Sequence, residues 1–241
     1  MLILYDIDMT LLETRHIGID CLHDAGRESF TPEFSIEGLN FGGCLDPDII
    51  ARMLVMNKLD PSDEHIGILR RGYHERLQAA ASEREVSWAL PGAHELVRAT
   101  REHPLKFTLG LLTGNFPETG TIKLERAGFD MNDFEVCVWG DDSPHHPPTR
   151  SHLPPVGLEK YRALKGHDIS PESVLIVGDT IHDVSCALDS GCTVLAVATG
   201  HATAEELRDA GAHRVIDDLT DTGGILTWLA EQWRPFARAN A

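Results

Sequence analysis

The chain has 241 residues, of which 42% are hydrophobic and 24% charged, as expected of a soluble globular protein with one large core or a core plus a small second unit. Asp and Glu number 38 against 21 Lys and Arg, and the resulting net charge of −17 disfavours nucleic acids and anionic membranes as partners. The longest apolar runs, such as 173–177, are too short to cross a bilayer.

The N-terminus and the cysteines both favour a cytoplasmic protein. Residues 1–5 lack the basic start of a signal peptide, and Asp6 and Asp8 interrupt the apolar stretch. The five cysteines are scattered, odd in number and form no CxxC pair, which favours a reducing compartment over a disulfide framework. The sequence is equally compatible with a monomer and a homodimer.

Short apolar segments alternate with helical patterns along most of the chain, which predicts an α/β fold. These segments are rich in Val, Ile and Leu without polar alternation, as in parallel strands that are buried on both faces. The predicted strands are 2–5, 107–112, 135–139, 174–177, 193–197 and 214–216. We therefore expect a parallel sheet with helices on both faces.

Helices are predicted between these strands, at 91–103, 117–127, 156–164, 183–190 and 203–210. A last helix that contains Trp228 and Trp233 is expected to pack on the core. Residues 14–86 break the alternation, because they contain helical patterns and no convincing strand. An insertion of this length between two strands predicts a small all-helical domain at 14–86, with a core formed by 1–13 and 87–241.

Two aspartates follow the first predicted strand, in the segment Asp6-Ile7-Asp8-Met9-Thr10. Residues two apart in an extended segment point the same way, and ligands of open α/β sheets bind beyond the carboxyl ends of the strands. Asp6 and Asp8 therefore predict a pocket with two carboxyl groups, one serving as an ionised nucleophile and the other as an acid. The alternative is an acidic loop that caps the next helix.

A second buried strand ends in Thr113-Gly114-Asn115. The Thr113 hydroxyl group can donate a hydrogen bond to a phosphoryl oxygen, and Gly114 allows backbone amides to approach an anion closely. Taken alone, this segment is equally typical of an ordinary turn between a strand and a helix.

A third buried strand ends in Gly178-Asp179, and Asp183 follows four residues later. Asp179 is placed to bind a hard cation such as Mg²⁺, which prefers carboxylate oxygens and substrate phosphate. Asp183 is either a metal ligand, directly or through water, or a first-turn helix acid favoured by the helix dipole.

The order of these three motifs resembles that of the phosphatases of the haloacid dehalogenase superfamily, over the whole chain. The family's DxDx(T/V) motif, its Thr or Ser after an apolar strand, and its GDxxxD motif correspond to 6–10, Thr113 and 178–183. The helical insertion at 14–86 resembles the cap of many members, including phosphoglycolate phosphatases. Met9 departs from the family pattern, in which Gly is common.

The resemblance implies a Rossmann-like core and a Mg²⁺-dependent phosphatase for a small phosphorylated metabolite. Asp6 would attack phosphorus to form an aspartyl-phosphate, and Asp8 would protonate the leaving alcohol. Mg²⁺ would be held by the carboxylates of Asp6 and Asp179 and by the backbone carbonyl group of Asp8, with Asp183 as a further ligand. Dehalogenases and phosphonate hydrolases lack an acid at the position of Asp8, so its presence favours phosphate esters.

The family also places a basic residue, usually Lys, between its second motif and its GDxxxD motif. Arg150 is favoured by its position before a predicted helix, and Lys160 and Lys165 are the alternatives. The residues expected to contact the substrate phosphate are Thr113, Gly114, Asn115 and Arg150.

Several features leave alternatives open. The Gly-rich segment 38–44 is either a mobile substrate loop or an ordinary connection between helices, and cap hinges are expected at 13–16 and 85–88. In the Pro-rich segment 143–155, predicted to be a loop, the histidines are expected to be solvated rather than to bind a transition metal; they are His145, His146 and His152. A phosphomutase and a non-catalytic phosphate-binding protein on the same fold are the alternative functions.

Overall fold

The structure is a computed structural model that describes residues 1–239, with side chains for residues 1–232. The strands are β1 (Leu2–Tyr5), β2 (Leu12–Glu13), β3 (Trp88–Ala89), β4 (Thr108–Leu112), β5 (Val136–Val138), β6 (Val174–Gly178), β7 (Thr193–Val197) and β8 (Arg214–Ile216). The helices are α1 (Ile17–Ser29), α2 (Asp46–Met56), α3 (Asp63–Glu83), α4 (Ala93–Arg101), α5 (Pro117–Arg126), α6 (Leu153–Lys165), α7 (Ile181–Asp189), α8 (Ala204–Asp209) and α9 (Thr222–Ala239).

Six of these strands form one parallel sheet in the order β5-β4-β1-β6-β7-β8. All six strands predicted from the sequence are present, and the predicted α/β fold is confirmed. The pair β2 and β3, which the sequence did not predict, forms a separate antiparallel ribbon of two residues a strand. Such short segments carry too few residues for a recognisable periodic pattern.

Helices cover both faces of the sheet, so its strands are apolar on both sides. Side chains alternate along β1: Ile3 and Tyr5 pack into a cluster with α4, α5 and α9, whereas Leu2 and Leu4 pack into a cluster with α6, α7 and α8. Trp228 is partly buried against the first cluster, whereas the side chain of Trp233 lies outside the described residues. Along residues 1–239, no helix is long and apolar enough to cross a lipid bilayer.

Residues 14–86 contain the helices α1, α2 and α3, which pack around a third apolar cluster. This cluster also takes in Phe116 and Ile122 from the N-terminal boundary and the interior of α5. The two connections to the sheet run side by side in the ribbon of β2 and β3, next to which the guanidinium group of Arg15 lies 4.0 Å above the ring of Trp88. The division of the chain into a core and a cap at these connections stays a prediction.

One predicted loop ends too late. The sequence suggested a loop through Pro155, but α6 begins at Leu153 because Pro154 and Pro155 occupy its first turn, where a proline loses no helical hydrogen bond. A 3₁₀ turn at Arg150–His152 leads directly into this helix. All five cysteines are free thiols, as their spacing predicted.

Gly92 ends the segment that leads from the ribbon into α4 and is the N-cap residue of that helix. Its φ of 81° lies in the left-handed region, and a Cβ atom there would overlap the backbone of the fully buried Leu219. Gly38 has a similar φ of 85°, but open space surrounds the position of its missing Cβ. Substitutions at the two positions therefore distinguish the cost of a left-handed backbone, which both share, from the cost of steric overlap, which only Gly92 has.

We expect Gly38→Ala to lower the free energy of unfolding by about 1–2 kcal/mol, the cost of a left-handed alanine. Gly92→Ala should lower the free energy of unfolding by the same amount plus roughly 1–3 kcal/mol for the overlap with Leu219. Urea unfolding of both variants measures this difference, and equal losses would contradict the role assigned to the contact at Gly92.

Candidate active site

The site lies where three neighbouring strands of the sheet end. β1 lies between β4 and β6, with Tyr5 opposite Leu111 on one side and Val177 on the other. The backbone N–H of Asp6 donates to Val177 at 2.8 Å, which extends this pairing by one residue. The residues that follow these strands are therefore brought together at one edge, as the sequence predicted.

Asp6, Asp179 and Asp183 form the acidic cluster of the site. One carboxylate oxygen from each lies within 4.8 Å of the others, and the three residues are only 5%, 3% and 0% exposed. Burial raises the pKa of Asp6 to about 6; Arg150 opposes this shift, and the carboxyl groups of Asp183 and Asp8 add to it. Burial, followed by the charges of Asp183 and Asp6, also raises the pKa of Asp179 well above its ordinary value. The cluster thus concentrates negative charge that water does not screen.

Asp183 combines the two roles that the sequence left open. Its Oδ2 accepts hydrogen bonds from the backbone N–H and the hydroxyl group of Thr180, at 3.0 and 2.6 Å, so it completes the capping box of α7. Its other oxygen, Oδ1, belongs to the acidic cluster and is buried without a hydrogen bond of acceptable geometry. The helix cap therefore fixes a carboxylate whose second oxygen faces Arg150 and the other acids of the cluster.

Of the three candidate basic residues, Arg150 is the one that reaches the cluster. Its Nη2 lies 2.9 Å from Asp6 Oδ1 and 2.6 Å from Asp183 Oδ1, and the residue is 6% exposed. Its Nε is buried without a hydrogen-bond partner. Lys160 instead contacts Asp142 at 2.6 Å, and Lys165 contacts Glu135 at 2.7 Å; neither carboxylate belongs to the acidic cluster.

A hard divalent cation fits the acidic cluster. Its donors are carboxylate oxygens, which Mg²⁺ prefers, and the three buried carboxylates can carry more negative charge than the guanidinium group of Arg150 balances. Gly200 has no side chain at the point where a Cβ atom would overlap Asp179 Oδ2, so the carboxylate keeps its place. Within the described part of the chain, no other group of three or more His, Cys, Asp or Glu residues could hold a metal. The histidines of the 143–155 segment thus form no such site.

Thr113 and Asn115 connect the cluster to Asp8. Thr113 is 1% exposed, and its Oγ1 accepts a hydrogen bond from Asn115 Nδ2 at 2.8 Å, which leaves the hydroxyl hydrogen available for another acceptor. The same Nδ2 donates to Asp8 Oδ2 at 2.7 Å. Both amide hydrogens of Asn115 are thus used within the protein, so its side chain orients Thr113 and Asp8.

Lys123 is a site residue that the sequence analysis did not find. Its Nζ lies 3.0 and 2.9 Å from the two carboxylate oxygens of Asp8 and 2.6 Å from Asn115 Oδ1. Burial disfavours its charge, but Asp8, Tyr73 and Asp46 raise its pKa above the ordinary value. Among side chains 1–232 it is the only buried lysine. The signal that could have identified it is its position between Ile122 and Leu124, on the buried face of α5.

Met9 adopts a left-handed conformation, with a φ of 59°, between the two aspartates and Thr10. This conformation accounts for the glycine that is common here in the family that the motifs resemble. The Thr199 hydroxyl group donates to the backbone carbonyl group of Met9 at 2.5 Å, and Thr10 Oγ1 donates to Asp179 Oδ1 at 3.2 Å. The turn after β1 is therefore fixed from two sides.

The helices of residues 14–86 cover the site and enclose a cavity of about 570 Å³. The cavity is lined by Asp6, Asp8, Thr113, Arg150 and Asp179 from below. From above it is lined by residues of α1, by Tyr73 of α3, and by the segment 40–44. A substrate bound at the acidic cluster would therefore contact both parts of the chain.

Two sets of contacts seat the helical part on the core. Asp46 N–H donates to Gly114 O at 2.7 Å, and Asp46 Oδ2 accepts from Phe116 N–H at 3.0 Å. Arg70 of α3 lies 4.1 Å above the Phe116 ring and pairs with Glu118 at 2.6 Å. A Cβ atom on Gly114 would overlap the carbonyl group of Cys44, so the end of the 38–44 segment packs directly on the core. The expected hinges at 13–16 and 85–88 are separate from these contacts in the sequence: one precedes residue 46 and the other follows residue 70.

Comparison with known proteins gives a family match and a consistent set of relatives. Residues 3–197 match the family model of haloacid dehalogenase-like hydrolases. A phosphoglycolate phosphatase of Nitrosococcus oceani is 29% identical over 97 residues, which cover 40% of each chain. Another from Nitrosospira multiformis is 28% identical over 138 residues, or 57% of this chain and 56% of the relative. The matched segments thus span only about half the length of these two relatives.

Two other relatives match over nearly their full lengths. Pyrophosphatase PpaX of Bacillus mycoides is 26% identical over 228 residues, which cover 93% of this chain and 96% of the relative. The crystal structure of a hydrolase from Pseudomonas syringae superposes with a TM-score of 0.69 at 22% identity, covering 95% of this chain and 98% of that one. The fold is therefore shared from end to end with a solved structure.

The contact between Asp46 and the core predicts a pH-dependent stability difference. Burial raises the pKa of Asp46 from 3.8 to about 6, although Lys123 opposes the shift. Since the folded pKa is raised, the stability present below pH 3.8 is lost as the pH rises through 6. Asp46→Asn keeps an acceptor for the Phe116 N–H, so its melting temperature should exceed that of the wild type above pH 6 and approach it as the pH falls. A variant that is no more stable at high pH would contradict this assignment.

Proposed function

The chain belongs to the haloacid dehalogenase-like hydrolases, and from this premise we propose that it is a Mg²⁺-dependent phosphatase of the cytoplasm that hydrolyses a small-molecule phosphate monoester. One observation carries the proposal: three buried carboxylates lie within 4.8 Å of one another, with the Arg150 guanidinium group in contact with two of them. The carboxylates of this cluster suit a doubly charged cation, and the cation together with Arg150 suits a phosphoryl group.

In the proposed reaction, Asp6 is the nucleophile. Its carboxylate attacks phosphorus in line, the new bond to Asp6 forms as the bond to the leaving oxygen breaks, and an aspartyl-phosphate results. Arg150 lies 2.9 Å from Asp6 Oδ1, where its fork of donors can hold phosphoryl oxygens as the bond forms. The Thr113 hydroxyl group donates to another phosphoryl oxygen, and the backbone at Gly114 allows close approach.

Asp8 is the proposed general acid and base. It stands two residues beyond the nucleophile, and its side chain is 38% exposed, so it reaches into the cavity while Asp6 stays buried. It gives a proton to the leaving alcohol in the first step and takes one from the water that hydrolyses the aspartyl-phosphate in the second. Phosphate is then released, and Asp6 returns to its initial state.

The residues that would hold Mg²⁺ are Asp6, Asp179 and Asp183, together with the carbonyl group of Asp8. The ion would neutralise the charge that gathers on the nucleophile and the phosphoryl group. The protein's own part is to fix these carboxylates: the capping box fixes Asp183, and Thr10 donates to Asp179.

The volume of the cavity and the names of the relatives limit the class of substrate. A volume of about 570 Å³ suits a metabolite rather than a polymer, and the net charge of −17 disfavours nucleic acid. The names of the relatives, phosphoglycolate phosphatase and pyrophosphatase PpaX, place phosphoglycolate and pyrophosphate in the first panel of compounds to assay.

The central experiment measures release of inorganic phosphate from p-nitrophenyl phosphate and from a panel of phosphorylated metabolites, with Mg²⁺ and with EDTA. We expect release that requires Mg²⁺ and that Asp6→Asn abolishes, because the amide is not a nucleophile. Calorimetric titration with Mg²⁺ alone should show weaker binding to Asp179→Asn than to the wild type. An isomer of the substrate in place of phosphate would indicate a phosphomutase, and saturable binding without turnover would indicate a non-catalytic phosphate-binding protein.

The role of Arg150 is tested against that of Lys160, its alternative in the sequence. Arg150→Met should lower kcat/KM by about 100- to 1,000-fold, the typical effect of removing one group that stabilises a developing anion. Lys160→Met removes a contact with Asp142 outside the site, so its kcat/KM should stay close to that of the wild type. The reverse order of the two effects would move the basic role to Lys160.

A further inference from the structure

We propose that Lys123 is a positioning residue that holds Asp8 in the orientation required for proton transfer to the leaving group. This inference rests on the proposed function, since it assigns to Lys123 an effect on one step of that reaction.

The contacts of Lys123 show that it serves the protein rather than a ligand. Its Nζ lies 3.0 and 2.9 Å from the oxygens of Asp8 and 2.6 Å from Asn115 Oδ1, and the Tyr73 hydroxyl group lies beside it. An ammonium group has three hydrogens, and its three hydrogen bonds to Asp8 and Asn115 use all of them. No donor of Lys123 is left for a substrate oxygen.

Asp8 is held by a closed ring of hydrogen bonds. Lys123 donates to Asp8 and to the Asn115 side-chain carbonyl group, while Asn115 Nδ2 donates to Asp8 Oδ2 at 2.7 Å. The Asp8 side chain is 38% exposed, whereas that of Lys123 is 7% exposed. A half-exposed carboxyl group would sample several rotamers without such an anchor, and catalysis by proton transfer depends on its position.

The ring also reaches the helical cap region. Tyr73 belongs to α3, and it is 3% exposed, with its hydroxyl group against Lys123. Gly18 of α1 leaves room for both groups, because a Cβ atom there would lie 3.0 Å from the Tyr73 oxygen and 3.7 Å from Nζ. The anchor of Asp8 is therefore complete only when α1 and α3 are seated over the sheet.

Burial makes this lysine unfavourable unless it is paired. An apolar side chain of similar length would fill the same space without the loss of hydration. The pairing with Asp8, the residue proposed to move the proton, gives the buried charge a function.

The test compares Lys123→Met with the wild type on two kinds of ester. p-Nitrophenolate leaves without a proton, whereas an alkoxide needs one, so a defect in the acid affects alkyl phosphates selectively. We expect kcat/KM for the best alkyl phosphate of the panel to fall about 10- to 100-fold and that for p-nitrophenyl phosphate to change less than about 3-fold. Lys165→Met, which removes a surface pair with Glu135, should change neither value.

A double-mutant cycle with Asp8→Asn separates this inference from the proposed function. If Lys123 acts through Asp8, Lys123→Met should have little further effect in the Asp8→Asn background. If Asp8→Asn itself shows no selective loss on alkyl phosphates, the proposed role of Asp8 fails. If it does, and Lys123→Met lowers both substrates equally or neither, the inference about Lys123 is overturned.

A second variant covers the case in which Lys123→Met does not fold. Tyr73→Phe removes only the hydroxyl group that lies beside the ammonium group. It should shift the ratio of the two kcat/KM values in the same direction by a smaller factor, and an unchanged ratio would overturn the proposal.

Discussion

The structure is organised around an electrostatic constraint: three aspartates are buried within 4.8 Å of one another at one edge of a parallel sheet. Like charges at this distance, shielded from water, raise one another's pKa and oppose folding unless cations are present. Arg150 supplies one positive charge, on the 3₁₀ turn before α6. The 3₁₀ turn brings Arg150 to the acids, the capping box of α7 fixes Asp183, and the glycine at 200 leaves room for Asp179.

Beside the acidic cluster lies an ion pair between Asp8 and Lys123. Asp8 and Lys123 pair at the floor of the cavity, with Asn115 between them and Thr113. When Asp8 is ionised, Lys123 supplies its counter-charge, so the pair needs no ion from solution. The site thus separates a region that suits a cation from a region in which a lysine balances an acid, and the proposed nucleophile and proposed proton donor lie on opposite sides of that division.

The sequence predicted the sheet and the position of the site well because both follow from local patterns. Each buried strand is a continuous apolar run, and each motif residue stands at the end of one. The placement of Arg150 was also predictable, because the family that the motifs resemble places a basic residue just before this helix. Lys123 was missed because its role depends on which face of α5 is buried, and the residue type by itself suggests a solvated surface. The ribbon of β2 and β3 was missed because pairing between residues 12–13 and 88–89 is set by tertiary structure, not by propensity.

The contact of Asp46 with the peptide groups at Gly114 and Phe116 has a consequence for how such a protein diversifies. The segment that reaches this contact cannot be lengthened or shortened without disturbing the turn that carries Thr113. New selectivity is therefore easier to acquire on the face of α1, where Ile19 and Leu22 line the cavity and have no part in the polar network. Exchange of Ile19 would change the shape of the chamber and leave the proposed reacting groups in place, whereas Leu22 also packs in the third apolar cluster together with Tyr73.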